Sequence, residues 1–220
     1  MDPLHRLFTD ADLEAVRAAV QEAEARTAGE IVPYVVEESD EYPTAAWKGA
    51  ALGALLGPLA AAVLFYAAGH WATHPPVWML LPPAAGAAAG YLLTLLIAPV
   101  KRWMAGEELL EVRSRRRAEV AFLEQEVFRT RDRTGILLFV SLFEHRVVVL
   151  ADSGIHQKVA PGEWDGIVAG VVQGIRAGRP GAALIAAIAE CGKLLERHGV
   201  ARRSDDVDEL PNELRRERPE

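Results

Sequence analysis

The sequence predicts an α/β fold in which a small mixed β-sheet is sandwiched by helices and interrupted by a two-helix transmembrane hairpin. Three observations lead to this prediction. Two long apolar segments without charged residues lie inside the 220-residue chain. Amphipathic helical patterns alternate with short strand-like runs on both sides of these segments. A tight-turn pattern joins the last two strand-like runs.

The same pattern predicts a discontinuous domain. We expect residues 1–46 and 101–199 to form one α/β domain, since removal of the roughly 55 apolar residues leaves enough chain for a single modest core. Residues 47–100 form the predicted hairpin. The charged, proline-containing segment 200–220 is expected to be a disordered tail.

Each apolar segment is long enough to cross a membrane. The spans cover residues 49–68 and 77–98, and about 20 helical residues at 1.5 Å each cross about 30 Å of hydrocarbon. The eight residues between them require an antiparallel hairpin. The alternative is a pair of helices buried in a soluble core. Pro58, Pro82 and Pro83 would break such helices, whereas in a membrane neighbouring helices satisfy the freed backbone groups.

The distribution of basic residues predicts the orientation of the hairpin. The connecting turn contains no Lys or Arg, whereas Lys48, Lys101 and Arg102 lie at the opposite ends of the spans, followed by four arginines within 113–117. The positive-inside rule therefore places both termini and the α/β domain in the cytoplasm. Tryptophans at the four predicted boundaries support the spans: Trp47, Trp71, Trp78 and Trp103.

Glycines recur at four-residue spacing in both spans. Small residues at this spacing form one stripe on a helix face and allow two backbones to approach closely. The stripes fit packing within the hairpin as well as contact with a second copy or another membrane protein. They comprise Gly49, Gly53 and Gly57 in the first span and Gly86 and Gly90 in the second.

Before the hairpin, the sequence predicts a helix and a strand. Thr9 and Asp12 form a capping-box pattern at the start of the helix, and Gly29 ends it. The strand covers residues 30–38, and Pro33 within it suggests an edge position or a bulge.

After the hairpin, we expect a long helix over residues 107–131, with Leu109, Val112, Ala118, Phe122 and Val127 toward a core. Two strands follow at residues 135–143 and 146–151, joined by a turn at 144–145. The apolar run in the first of them suggests a central strand covered on both faces. Two apolar helix faces then cover residues 164–175 and 184–195.

Composition excludes some classes of protein. The net charge of −7 argues against nucleic-acid binding by the whole chain. The single cysteine, Cys191, excludes an internal disulfide and is predicted to be buried. No basic segment leads into an apolar core at the start of the chain, so we expect no cleavable export signal.

Asp152 is the strongest candidate for a site, because it ends a predicted strand and ligands gather at strand ends in open α/β sheets. Gly154 would allow close backbone approach. Glu30 opens the first strand, and Glu163 and Asp165 follow downstream. Carboxylates could hold a hard cation such as calcium, which takes six to eight oxygen ligands. The alternatives are a catalytic role, or a turn in which the Asp152 side chain bonds the following backbone.

The segments RTAGEIVPYVVEES and RTRDRTGILLFVSLFEHRVVVLADSGI resemble the TPM domain family. Arg26, Thr27, Gly29, Glu30 and Ile31 match the entry into its first strand. The stretch DDVDELPNEL resembles a bacterial membrane subgroup with an internal hairpin. The resemblance implies an α/β/α sandwich. It also implies one of several roles, since members are described as acid phosphatases, as calcium-binding proteins, or as accessory factors in assembly and repair of membrane complexes.

Two functional hypotheses follow. In the first, the chain is a membrane-anchored, non-catalytic interaction or assembly factor for a membrane complex. In the second, it is a metal-dependent phosphatase-like hydrolase, which requires several charged groups converging on one pocket. The sequence supplies one acidic strand-end loop and no recognisable nucleophile, which favours the first hypothesis.

Overall fold

The computed structural model describes residues 8–67, 77–200, 202 and 209–216. The turn between the two apolar segments, including Trp71, lies outside the described residues. A 3-10 turn covers Pro161–Trp164. The strands are β1 (Glu30–Val36), β2 (Gly135–Ser141), β3 (Arg146–Ala151) and β4 (Arg215–Arg216). The helices are α1 (Asp10–Glu24), α2 (Pro43–Ala67), α3 (Val77–Leu96), α4 (Ala98–Ala105), α5 (Glu107–Glu124), α6 (Ser153–His156), α7 (Asp165–Arg176) and α8 (Pro180–Arg197).

The chain divides into two compact units. One contains residues 1–39 and 112–220, and the other contains residues 40–111. The second unit is longer than the predicted hairpin of 47–100, because α2 begins at Pro43 and α4 continues the helical chain to Ala105.

The sheet has the strand order β3-β2-β1-β4. β1 pairs in parallel with β2 and with β4, and β2 pairs antiparallel with β3. All seven residues of β2 are buried, which confirms the prediction of a central strand covered on both faces. The hairpin between β2 and β3 is also confirmed, with its turn at residues 142–145 and a positive φ of 52° at His145.

Helices cover both faces of the sheet, which confirms the predicted α/β sandwich. Alternate strand residues point to opposite faces, so Ile31 and Ile136 pack with α1, α7 and α8 on one side. Val32 and Leu137 pack with Ala118 of α5 on the other side.

Pro33 lies in a strand with continuous register, so the suggested bulge is wrong. The suggested edge position is also wrong, because β1 lies between β2 and β4. The amide of Glu30 donates to Thr134 O (3.1 Å) and that of Leu142 donates to Val36 O (3.1 Å). Even-numbered residues of β1 therefore bond with β2, and odd-numbered residues face the β4 side. The missing N–H of Pro33 lies on that side, where the described residues of β4 pair with Tyr34 and Val35.

Part of the segment predicted as a disordered tail is ordered. Residues 209–216 return to the sheet, where β4 pairs with β1 and Leu210 is buried. The Arg215 guanidinium donates to the backbone oxygen of Gln125 (3.0 Å) and to its side-chain oxygen (2.9 Å). Burial lowers the pKa of Arg215. Composition did not show this, because the contacts join residues far apart in the chain.

The boundaries of two helices differ from the predictions. α1 has the predicted capping box, since the Asp12 amide donates to Thr9 Oγ1 and the Thr9 amide donates to the Asp12 carboxylate. It ends at Glu24 rather than at Gly29. α5 ends at Glu124 rather than at residue 131, and the chain after it turns at Glu126, where φ is 51°.

The buried face of α5 is also offset from the predicted one. It contains residues spaced three or four apart, namely Leu110, Ser114, Ala118 and Ala121. Val112, which we expected in the core, is exposed. The spacing of apolar residues predicted the wrong face because one fully buried position of α5 is a serine, Ser114.

In the second unit, α2 and α3 pack against each other in antiparallel orientation through their glycines. A Cβ added at Gly53 would overlap Gly86 O, and one added at Gly86 would overlap Gly53 O. A Cβ at Gly49 would lie 2.7 Å from Gly90 O. The stripes therefore form the contact between α2 and α3. Contact through them with a second copy or another membrane protein stays a prediction.

By length and composition, α2 is long and apolar enough to cross a membrane by itself. α3 meets the same criteria only when it is counted together with α4 as a bent pair. These two helices are bent by 104° at Ile97, so the second predicted span of 77–98 ends at Leu96.

Candidate functional site

Glu30 and Asp152 lie at the same end of the sheet, on either side of Gly135. Glu30 is the register partner of Gly135 in β1. The Asp152 amide donates to Gly135 O at 2.9 Å. The backbones of these two predicted ligands therefore both lie next to Gly135, although their side chains bond to different partners.

The Asp152 carboxylate is tied to its own loop. Its Oδ1 accepts from the Ser153 amide at 2.6 Å, which caps the short helix α6. Its Oδ2 lies 3.5 Å from the Arg133 guanidinium. These contacts are those of the turn-forming alternative, in which an Asp side chain bonds the following backbone.

Gly154 is required by close packing at this loop. Its amide donates to Arg133 O at 2.9 Å, and a Cβ there would lie only 2.7 Å from the same oxygen. The close approach predicted at Gly154 is therefore made by the chain's own 132–133 backbone.

The Glu30 carboxylate holds the returning tail. Its two oxygens accept from the amides of Glu209 (3.4 Å) and Leu210 (3.3 Å). Glu209 in turn accepts from the Arg131 amide at 2.9 Å. The buried Glu30 side chain therefore connects the start of β1 to residues 209–210 and, through them, to the loop before β2.

Glu163 lies in the 3-10 turn and Asp165 is the first residue of α7, and their side chains have different environments. Glu163 Oε2 lies 2.7 Å from His198 Nε2, and its Oε1 accepts from the Ala160 amide at 3.3 Å. The hydrogen bond with His198 lowers the pKa of Glu163. Asp165 is exposed at the beginning of α7.

The predicted calcium ligands Asp152, Glu30, Glu163 and Asp165 do not form one site. Over the described ranges, no three His, Cys, Asp or Glu side chains lie close enough together to hold a metal ion. The sequence places acidic residues near strand and helix ends, but the structure uses three of these carboxylates as acceptors for nearby amides.

A buried polar cluster lies at the opposite end of the parallel strands, and sequence reasoning missed it. Glu144 accepts from the Ser39 amide (2.7 Å) and from the Ser141 hydroxyl. The Ser39 hydroxyl donates to Ser141 Oγ at 2.9 Å, and Ser114 Oγ lies 3.5 Å from it. Ser114 and Ser141 are fully buried and Glu144 is 5% exposed. The signal available in the sequence was a serine inside an apolar strand followed by a glutamate in the turn.

The apolar helix pair exposes its large side chains. The 18-residue apolar window of α2 has no buried residue. Leu55 is 74% exposed and Leu96 is 80% exposed. Other exposed members are Trp47, Leu52, Leu56, Leu59, Val63, Leu64, Tyr66, Leu80, Leu81, Leu92, Leu93 and Leu95, and the exposed Ile97 follows α3 directly. A contiguous apolar surface of this kind marks an interaction with a protein or a membrane.

Cys191 is fully buried in α8, as predicted. Burial raises the pKa of its thiol to about 12. Because the thiolate is the reactive form, this thiol is unsuited to nucleophilic chemistry.

Comparison with family models and with characterised proteins gives no match. Among solved structures, the chain is similar to the BA42 protein of the psychrophilic bacterium Bizionia argentinensis, determined by NMR. The TM-score is 0.57 and the sequence identity is 17%, over 96% of this chain and 95% of that chain. This likeness supports the mixed α/β fold.

Proposed function

We propose that this chain is a TPM-like protein anchored in a bacterial inner membrane, where it acts as a non-catalytic interaction or assembly factor for a membrane complex. The observation that carries the proposal is the exposed apolar surface of α2 and α3. A helix in a soluble core would bury these side chains, and leaving them in water costs about 25 cal/mol for each Å² of apolar surface.

The lengths of the helices fit this role. α2 has 25 residues, which corresponds to about 37 Å at 1.5 Å per residue. The contact between α2 and α3 uses glycines rather than large apolar side chains, as expected where lipid already surrounds both helices.

The choice of an interaction role over hydrolysis rests on the acidic groups. A metal-dependent phosphatase needs several oxygen ligands around one cation. Three of the candidate carboxylates instead accept hydrogen bonds from backbone amides of the chain itself. Asp152 and Glu163 bond at a helix cap and a 3-10 turn, and Glu30 bonds to the returning segment 209–216.

A thiol-labelling experiment tests insertion and orientation together. Cysteines are introduced at Thr73 in the turn and, in a separate variant, at the exposed Glu213. The buried native Cys191 serves as an internal unreactive background. In intact cells, an impermeant maleimide should label T73C. It should label E213C only after the membrane is opened, because the basic residues flank the two apolar segments on the side of the chain termini and not in the connecting turn. Labelling of E213C alone in intact cells would overturn the cytoplasmic assignment, and recovery in the soluble fraction would overturn insertion.

Hydrolysis and assembly are tested on purified protein and on native membranes. With calcium, magnesium or manganese present, we expect the parent protein to hydrolyse p-nitrophenyl phosphate no faster than the D152N variant does. Activity that is lost in D152N would establish the hydrolase instead.

In native gels of gently solubilised membranes, the chain should migrate well above its own mass together with other membrane proteins. Migration as a monomer in every detergent would contradict the assembly role.

A further inference from the structure

We propose that α4 lies in the plane of the membrane and binds the phospholipid headgroup layer through the face that carries Trp103, which fixes the depth of the hairpin. The proposal rests on the proposed insertion of α2 and α3. It adds a lipid-contact site and its ligand, which is the interfacial layer of a phospholipid bilayer.

The first step is the direction of α4. It leaves α3 at 104°, so a span close to the membrane normal places α4 nearly parallel to the surface. The cause of the bend is local. Pro99 has no amide hydrogen and its ring would clash with the carbonyl of residue 95 if α3 continued. The chain instead starts a new helix, in which the amides of Val100 and Lys101 donate to Ile97 O at 2.9 and 3.0 Å.

The second step is that two exposed tryptophans lie at the same level of this unit. The Lys48 ammonium donates to Met104 O at 3.0 Å and approaches Ala105 O at 3.5 Å. This contact ties the neighbours of Trp47 and Trp103 to each other across the hairpin. Trp47 is 68% exposed and Trp103 is 72% exposed.

The third step is the choice of occupant. Indole rings have an apolar body and one N–H donor, which suits them to the headgroup region. Lys48 is engaged with the C-terminal carbonyls of α4, and the Lys101 ammonium lies 5.9 Å from the centre of the Tyr42 ring. These two cations therefore stabilise the position of α4 itself, and the exposed side chain that we assign to the headgroup layer is the aromatic Trp103. Binding should not depend on anionic lipid.

The test measures the depth of single tryptophans in the full chain, reconstituted in phosphatidylcholine vesicles. One variant retains only Trp103 and another only Trp47, with the remaining tryptophans replaced by Phe. The probes are phosphatidylcholines brominated near the carbonyl end or near the middle of the acyl chain. Trp164, which is 6% exposed in the α/β unit, provides a control outside the hairpin. L59W, introduced in an otherwise tryptophan-free chain at an exposed position within α2, reports insertion.

We expect shallow bromines to quench Trp103 and Trp47 at least twice as strongly as deep bromines. The order should be reversed for L59W, and Trp164 should not respond. Quenching of L59W without quenching of Trp103 would overturn the in-plane helix and leave the membrane anchor intact. No quenching of either would overturn the anchor as well. A requirement for phosphatidylglycerol to quench Trp103 would show charge-driven binding and contradict the aromatic contact.

Discussion

At the residue scale, Glu144 and Ser141 connect parts of the chain that are far apart in sequence. Ser39 follows β1, Ser114 lies in α5, and Ser141 ends β2. Each hydroxyl or amide that faces Glu144 was removed from water on folding, so the cluster stabilises the fold only while its hydrogen bonds are made. It lies where the chain leaves the α/β unit after Ser39 and returns before Ser114.

Replacing Ser141 by alanine should therefore destabilise the protein. The change removes the hydroxyl that donates to Glu144 and accepts from Ser39, which costs about 1–3 kcal/mol for a buried group. Chemical denaturation in detergent micelles, followed by circular dichroism, measures the loss. S153A is the matched control, because Ser153 is exposed and should be within about 0.5 kcal/mol of the parent. Equal stability of S141A and the parent would show that the cluster contributes nothing.

At the scale of elements, the helix pair depends on the absence of side chains at its contact. Gly53 and Gly86 face each other so closely that an added Cβ at either would overlap the backbone of the other helix. Backbone atoms cannot move aside as a flexible side chain can, so a larger residue must separate the helices. Dispersion contacts fall steeply with separation, and they supply much of the attraction between helices in lipid.

G53V should therefore weaken the packing of α2 against α3 by about 1–3 kcal/mol. The expected result is a lower midpoint in an SDS titration of the reconstituted protein. A60V is the control in the same helix, since Ala60 is exposed and added methyl groups there meet lipid. A midpoint for G53V equal to that of A60V would contradict the glycine-mediated contact.

At the scale of the α/β unit, the returning segment 209–216 completes one side of the sheet. The side of β1 that faces β4 has few amides left to pair with another strand: the Ile31 amide already donates to Glu24 at 2.8 Å, Pro33 has no N–H, and β4 pairs with Tyr34 and Val35. An edge blocked in this way resists pairing with other chains. Leu210 joins the core on the face covered by α5.

L210A should cost about 2 kcal/mol, the lower end of the range for a buried leucine, because Leu210 is 8% exposed. The measurement is the thermal midpoint of the reconstituted chain, and E213A, at an exposed position, is the control. A midpoint unchanged in L210A would show that the segment does not contribute to the core.

The sequence alone was sufficient to predict the α/β class, the β2–β3 hairpin, the capped first helix and the burial of Cys191. Each of these depends on short-range patterns: period-2 or period-3.6 apolar spacing, and a polar cap three residues from its partner. The apolar segments and their glycine stripes were visible for the same reason.

The tertiary structure decided everything that depends on residues distant in sequence. It returned segment 209–216 to β1, although its composition resembles a disordered tail. It assigned Asp152 to a cap and Glu30 to that segment, because each carboxylate found amide donors from the chain itself. It also buried Ser114 and Ser141 with Glu144. Hydrogen-bond partners brought together by folding leave no periodic signal, so local patterns could not identify them.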